Sequence, residues 1–402
     1  MNNYFYIFIK KVIGICPIIF IAFHSSFCFS QEFVNNGDII SNNGDIIFVD
    51  GNVTDTSKGL FDNTGSIYLT GDWTNNAGDS AFTTTPGGNV IMSGDTQNIQ
   101  GSDVTGFYNL ILANKGVKHL QHIDAVVNDS LILNHLELST DSQKLIVTNT
   151  SPGVITRTSG FVSSLDTGAL VRYTASSSAY LFPVGSSIGI PRYRPVDITP
   201  NNPMDTFFVR MANTNATNEF FDLNQRDPLI SNINQFYYHR ILGKSSAGGE
   251  ITIYYDTTDG EFTSIAHWQN QPKWENMFAG TAPLKYYFSG ALSKSSWNDF
   301  SYPAFALIND ACGDLFVPTA FSPNGDSYND VECVYGKCIK SMLFSIYDRW
   351  GEKVFETNDQ TKCWDGTYKG EPLNPAVFVY TLEASLSTGE TKSLKGNIGL
   401  VR

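Results

Sequence analysis

Charge is scarce in this chain, and positive charge scarcest. Asp, Glu, Lys and Arg make up 16% of its 402 residues, against roughly a quarter in ordinary soluble domains. The 26 Lys and Arg are outnumbered by 39 Asp and Glu, giving a net charge of −13. Such a chain repels phosphate instead of releasing counterions from it, which excludes a basic nucleic-acid binder. Helical periodicity is also missing. Aromatics, by contrast, are plentiful: 28 Phe, 19 Tyr and 6 Trp exclude a wholly disordered chain, which needs few aromatics and dense charge. Asn, Ser, Thr and Gly fill the place of the missing charge and favour turns and short strands. The fold class that follows is all-β, in about two or three domains.

The first thirty residues read as an address. Lys10 and Lys11 precede an apolar run, Val12–Phe23, of 12 residues, too short for the roughly 20 that a membrane crossing needs. It fits the apolar segment of a secretory signal, with Cys28 and Ser30 as small residues before a cut at Gln31. A lone N-terminal anchor and a lipoprotein centred on Cys28 are the weaker alternatives. Removing 1–30 takes away two lysines and no acids, leaves a net charge of −15, and leaves no transmembrane segment in the mature chain. Four further cysteines, Cys312, Cys333, Cys338 and Cys363, all lie in the last quarter. An even number in an exported segment suggests two disulfides with three possible connectivities. A four-residue hairpin loop between Cys333 and Cys338 favours that pair, with Cys312–Cys363 as the remainder. A tetrahedral zinc site competes, but paired C-x2-C knuckles are absent.

Residues 31–175 carry an internal repeat. Gly44-Asp-Ile-Ile-Phe-Val-Asp-Gly51 returns as Gly65-Ser-Ile-Tyr-Leu-Thr-Gly71, as Gly88-Asn-Val-Ile-Met-Ser-Gly94 and, loosely, as Gly106-Phe-Tyr-Asn-Leu-Ile-Leu112. A period near twenty with short apolar strands between Gly, Asn and Asp corners is what a β-solenoid (parallel β-helix-like) needs. An ordinary sandwich with accidental self-similarity is the alternative. A doublet, Asn35-Asn-Gly-Asp-Ile-Ile40 and Asn42-Asn-Gly-Asp-Ile-Ile47, is too closely spaced for whole coils and reads as the cap and entry to the first rung. Residues 176–310 change character, first proline-punctuated and then aromatic, with alternation such as Ile251-Thr-Ile253-Tyr-Tyr255. They read as a β-sandwich.

The tail, 311–402, is the most specific stretch. It contains Pro318, Phe321, Pro323-Asn324-Gly325-Asp326 and Asn329-Asp330, then Arg349-Trp350-Gly351, Trp364-Asp365-Gly366, Gly396 and a terminal Arg402. In this order the blocks resemble the C-terminal domain of gliding-motility-associated proteins of the Bacteroidota, the type B sorting signal of the type IX secretion system. The resemblance covers about ninety residues. It implies Sec-dependent entry to the periplasm, recognition by the type IX machinery and passage across the outer membrane to the surface or medium. Asp326-Ser-Tyr departs from the family's usual Asp-Gly.

Read as residues alone, the same blocks are turns and strands of an immunoglobulin-like sandwich. Trp350, Trp364, Phe355 and Tyr380 are expected in its core, and Arg349 is placed to lie on the Trp350 face. The oxygens of Asn324, Asp326, Asn329 and Asp330 make a weak candidate Ca²⁺ site, which ordinary Asx turns explain equally well. No other cofactor is indicated.

Catalytic signatures are thin. Gly185-Ser-Ser-Ile-Gly189 matches G-x-S-x-G, but Pro191 and Pro195 follow where the nucleophile elbow needs a helix, so Ser187 reads as turn. His119, His122 and His135 lack a partnering carboxylate pattern. Between 31 and 175 the cations are Lys58, Lys115, Lys118, Lys144, Arg157 and Arg172, too dispersed for a groove that holds an anionic polysaccharide. The reading is therefore a non-catalytic surface or secreted protein: an adhesin, stalk or matrix component with surface glycans or proteins as partners. The alternative is a polysaccharide-acting enzyme, or a neutral-glycan binder using Trp73, Trp268, Trp274 or Trp297.

Overall fold

The computed structural model describes residues 31–78, 81–245, 247–311, 315–326, 328–387 and 389–401. The expected leader 1–30, Cys312 and Arg402 lie outside the described residues. Among those described the chain is all-β, with short 3-10 turns and no α-helix. No helix is long and apolar enough to cross a membrane.

The repeat region winds into a solenoid of about seven rungs with three faces. The first face stacks Gln31–Asn36, Gly51–Thr56, Trp73–Asn76, Gln97–Gly101, Lys118–Leu120, Glu137–Ser139 and Phe161–Ser163, all parallel. Ile39–Asn42 and Leu60–Asn63 begin the second face. Further along, that side is built by Thr105–Phe107, Ala125–Val127, Lys144–Val147 and Ala169–Tyr173. The third runs from Ile46–Val49 through Ser66–Leu69, Asn89–Met92, Asn109–Leu112 and Leu131–Asn134 to Ile155–Arg157.

Alternation along each strand sends every second side chain inward, and parallel register stacks those side chains into columns. Ile67, Val90, Leu110, Leu131 and Ile155 form one such buried column. Burying each aliphatic side chain contributes roughly 1.5–3 kcal/mol. At the N-terminal end the filling is aromatic: Trp73 stacks on Phe82 at 5.4 Å and meets Phe61 and Phe107 at 5.5 Å.

Register refines the repeat. Gly65 and Gly88 occupy equivalent positions, since Ser66 pairs with Asn89. The first copy slips by one residue, because Ile46 pairs with Ser66 and Ile47, not Ile46, shares the inward column of Ile67. A slip of one reverses which side chains face the core. Gly106 belongs to a different face, in Thr105–Phe107.

The doublet also changes meaning: its copies are two corners of one rung. Gly37 turns the chain from Gln31–Asn36 into Ile39–Asn42, and Gly44 turns it again into Ile46–Val49, with φ of 93° and 84°. These left-handed corners are open to glycine at no steric cost.

Several polar side chains inside the coil are held by hydrogen bonds. Buried Asn42 donates its amide to Asn63 Oδ1 at 2.8 Å. Lys118, fully buried, donates its ammonium to the Gly94 carbonyl at 2.7 Å, to Asp95 O and to Lys115 O. Burial pulls its pKa down to about 8. Arg172 is likewise buried and donates to the carbonyls of Leu181, Ser151 and Pro152.

The chain divides into two compact units that interleave in sequence. One holds the residues up to Phe220 with 235–255 and 295–305; the other holds 221–234, 256–294 and 306–402. In the first, Ala169–Tyr173 accepts the last parallel pairing on one side and pairs antiparallel with Thr206–Ala212 on the other. Thr206–Ala212 then pairs with Tyr238–Gly243. In the second, upstream of the tail, Ser264–Trp268 pairs with Trp274–Asn276. Trp268 and Trp274 meet edge to face at 5.5 Å, with Phe221 against both.

This corrects the expectation of sugar-stacking tryptophans. Trp73, Trp268 and Trp274 are buried core residues. Trp297 is half-buried, and its indole N–H donates to Asp299 O at 2.6 Å. Large flat side chains gain most where both faces are covered.

Candidate functional site

The main sheet of the tail is antiparallel but for one short edge strand. Ile339–Tyr347 lies between Lys353–Thr357 and Ala376–Leu386, Ala376–Leu386 pairs along its length with Thr391–Leu400, and short Ala320–Phe321 runs parallel to the end of that last strand. Alternation sorts the long strands into an inner and an outer face. Phe344, Ile346, Phe378, Leu382, Ile398 and Leu400 point into a core that also takes Phe321, Trp364 and Tyr380. Trp364 packs edge to face on Phe378 at 4.9 Å and lies 5.2 Å from Phe321, and its N–H donates to Thr367 O at 3.0 Å.

The aromatic blocks separate into two kinds. Trp364 and Tyr380 are buried and Phe355 is partly so, as expected. Trp350 is 80% exposed, against the expectation that it is core. It sits in the turn after Ile339–Tyr347, where Asp348 Oδ1 accepts the N–H groups of Trp350 and Glu352. Gly351 closes that turn, donating to Asp348 O at 3.0 Å. A turn tip has no layer above it to bury an indole. The Arg349 guanidinium lies 5.1 Å from the Trp350 ring centre, in the cation–π arrangement the sequence suggests.

Asp365 Oδ1 accepts the N–H and hydroxyl of Thr367, and buried Gly366 packs under Leu400. Gly396 lies against the Tyr380 ring, where a Cβ would approach to 2.8 Å. Pro318 and Pro323 are half-buried.

The acidic loop is organised by Asx turns. Asp330 Oδ1 accepts the N–H groups of Asn324 and Gly325, Asn324 Oδ1 accepts Asp326 N–H, and Asp326 Oδ1 accepts Tyr328 N–H. Asn329 stands at φ 54° and its carbonyl accepts Ser322 N–H. Among the described residues no three His, Cys, Asp or Glu side chains come together as a metal site. The three solenoid histidines accordingly stand apart in role. His119 faces Asp141 at 3.7 Å, His135 bonds Asn114 O, and His122 occupies a positive-φ turn.

The favoured disulfide pairing is overturned. Cys333 is bonded to Cys363, with Cα atoms 4.6 Å apart, and Cys338 is disulfide-bonded as well, so neither Cys333–Cys338 nor Cys312–Cys363 forms. Glu332 and Trp364 form an isolated antiparallel bridge, which sets residues 333 and 363 opposite each other. Tyr335 instead bridges Phe316 with stacked rings at 5.1 Å, and Cys338 leads into the next long strand. The anticipated hairpin therefore never closes.

Glu332 escaped notice in the sequence. Its side chain is fully buried and, among the described residues, neither carboxylate oxygen has a hydrogen-bond partner. Burial pushes its pKa up to about 7, and its charge helps raise that of Tyr380 after burial itself. Its period-two spacing from buried Val334 is the signal that could have placed it inward.

The outer face of the sheet is mixed. Val377 (61% exposed), Val379 and Leu343 stand beside the exposed pair Lys353–Glu356 at 2.6 Å. Ser345 Oγ also donates to Glu356, and the lysine's hydrogen bond, ahead of the serine's, holds its carboxyl below the usual range.

Upstream of the tail, two buried clusters of titratable groups are tied up in structure. Glu219 takes up Arg210, Arg240 and the Tyr238 hydroxyl. His239, fully buried, bonds Arg194 O at 2.8 Å, and burial drops its pKa to about 4. Ser187 occupies the exposed tip of a hairpin between Gly185–Ser186 and Arg192–Tyr193, a strand–turn–strand and not an elbow. A cleft of about 190 Å³ in the solenoid is lined by Phe61, Phe82, Tyr108, Asn63, Asn128 and the loop 83–88, with no acid, imidazole or ammonium.

Compared with known families, residues 315–400 match the CHU_C type IX secretion signal domain. No curated protein and no solved structure matches the chain. The matched span includes Glu332, the Cys333–Cys363 bond and every described block of the tail motif. It implies the type IX secretion machinery as a partner and export to the cell surface or medium as the outcome.

Proposed function

We propose that the chain is a non-catalytic surface or secreted protein whose solenoid serves as an adhesin, stalk or matrix component. A signal at 1–30 takes it through the Sec translocon to the periplasm, and an immunoglobulin-like tail, 311–402, hands it to the type IX machinery. The match over 315–400 carries the export route. The cargo reading is supported by cations spent on structure: Lys118 and Arg172 bond to backbone carbonyls inside the coil, out of reach of an anionic polymer. Deleting 312–402 and fractionating the cells tests the route. The truncated chain is expected to stay in the periplasm, and normal surface display contradicts the assignment.

A second reading, neutral-glycan binding, is favoured by one observation: the solenoid cleft joins aromatic walls to uncharged polar groups. Incubating the exported chain with xylan, chitin, pectin and alginate separates the readings. Reducing ends released from any polymer point to an enzyme, and retention without release points to a binder.

A further inference from the structure

The first rung of the solenoid is unfinished on one side. Gln31–Asn36, Ile39–Asn42 and Ile46–Val49 each pair with the rung that follows, and no described strand pairs with their other edges. The inward residues of this rung, Phe33, Ile40 and Ile47, are only half-buried, whereas Val53, Phe61 and Ile67 one rung on are buried. Val34, Ile39, Ile46 and Phe48 are exposed around the same rim. Open strand edges over an apolar floor recruit further strand, and solenoids ordinarily end in a polar cap.

We propose that this end is a homodimer interface, in which two copies stack first rung on first rung about a two-fold axis. All three faces then continue across the junction.

The rung is self-complementary under that operation. A two-fold axis normal to the sheet of Gln31–Asn36, set half a strand spacing outside its open edge and level with Val34, pairs this strand antiparallel with its own copy, Val34 opposite Val34. The same axis exchanges the other two sides. Those sides are both four residues long and both open with Ile-Ile after Asn-Asn-Gly-Asp, and antiparallel pairing offset by one residue sets Ile40 opposite Ile47 on the inward side and covers most of both edges. The doublet that turns the two corners of this rung also supplies this equivalence.

Isologous contacts of this kind close at two copies. A head-to-tail filament is blocked at the far end, because Ala169–Tyr173 already pairs with Thr206–Ala212. Charge opposes the contact and gives it a signature. Glu32, Asp38, Asp45 and Asp50 ring the rung and no Lys or Arg precedes Lys58 after residue 30, so salt should strengthen association by screening the repulsion.

Sedimentation equilibrium of the full exported chain tests this. The expected result is a dimer below about 100 µM, tightening at least about threefold when salt is raised from ~0.05 to ~0.5 M. Ile40→Glu with Ile47→Glu should weaken it at least about tenfold, a change of 1.4 kcal/mol or more. Since charge on the floor also loosens the rung itself, Val34→Cys provides an independent readout with the packing untouched. A short bis-maleimide should join two Val34→Cys chains and leave Ser159→Cys chains, altered at the far end, unjoined. A monomer at ~100 µM, a folded double variant of unchanged affinity, or a dimer without the Val34→Cys link overturns the proposal. Capture of a different protein by this edge in place of a second copy overturns it too.

Discussion

Glu332 stands opposite Trp364 across an antiparallel bridge, and beside them the Cys333–Cys363 bond ties the same two segments covalently. A carboxylic acid with no hydrogen-bond partner among the described residues thus lies beside a covalent tie. Its pKa is raised from 4.5 to about 7 in the fold, so the folded chain keeps a proton that the unfolded chain gives up. The stability linked to it is complete below about 4.5, drains away as pH climbs towards 7, and is flat above that. Glu332→Gln should remove this slope, so that its effect on stability becomes more favourable by on the order of 3 kcal/mol at pH 8 relative to pH 4.5. Urea unfolding at the two pH values, with and without the substitution, measures it.

Replacing Cys333 and Cys363 together by Ser opens a loop of 30 residues. Cross-links of that span are worth roughly 3–4 kcal/mol. The double variant is expected to unfold at lower urea and to be cut sooner by protease within 315–400, with the solenoid unaffected.

The two tryptophans of the tail should part company. Trp364→Ala empties a core site and should cost about 3–5 kcal/mol, lowering secretion because the tail unfolds. Trp350→Ala touches an exposed turn and should leave stability within ~0.5 kcal/mol. If the Arg349–Trp350 tip is read by the export machinery, secretion falls while the melting curve stays put, and a parallel loss of both shows instead that the turn matters for folding.

Lys118→Met keeps the bulk of the side chain and removes the ammonium. The carbonyls of Gly94, Asp95 and Lys115 then lose their buried donor. Each unsatisfied group costs about 1–3 kcal/mol, so the solenoid should melt several degrees lower, which circular dichroism detects.

How much of this was legible follows from the range of each interaction. The solenoid was readable because corner glycines and two-residue alternation are local signals repeated at a fixed interval. Its register was not: Ile46 and Ile47 are both apolar, and only stacking on Ile67 decides which faces inward. The tail motif was readable as an ordered set of turns. The partner of Cys333 was not, since a bridge thirty residues away settles it and nearby Cys338 offers a tempting local alternative. Trp73 and Trp274 carry no mark in sequence that separates a binding platform from core. Glu332 was hidden because charge normally signals surface.

Each inner rung of the coil pairs its strands with the rung before and the rung after. Inserting one more, of roughly twenty residues, would displace the rest of the coil by about 4.8 Å while remaking a single pair of interfaces. Length in this cargo is therefore a digital quantity, adjustable one coil at a time.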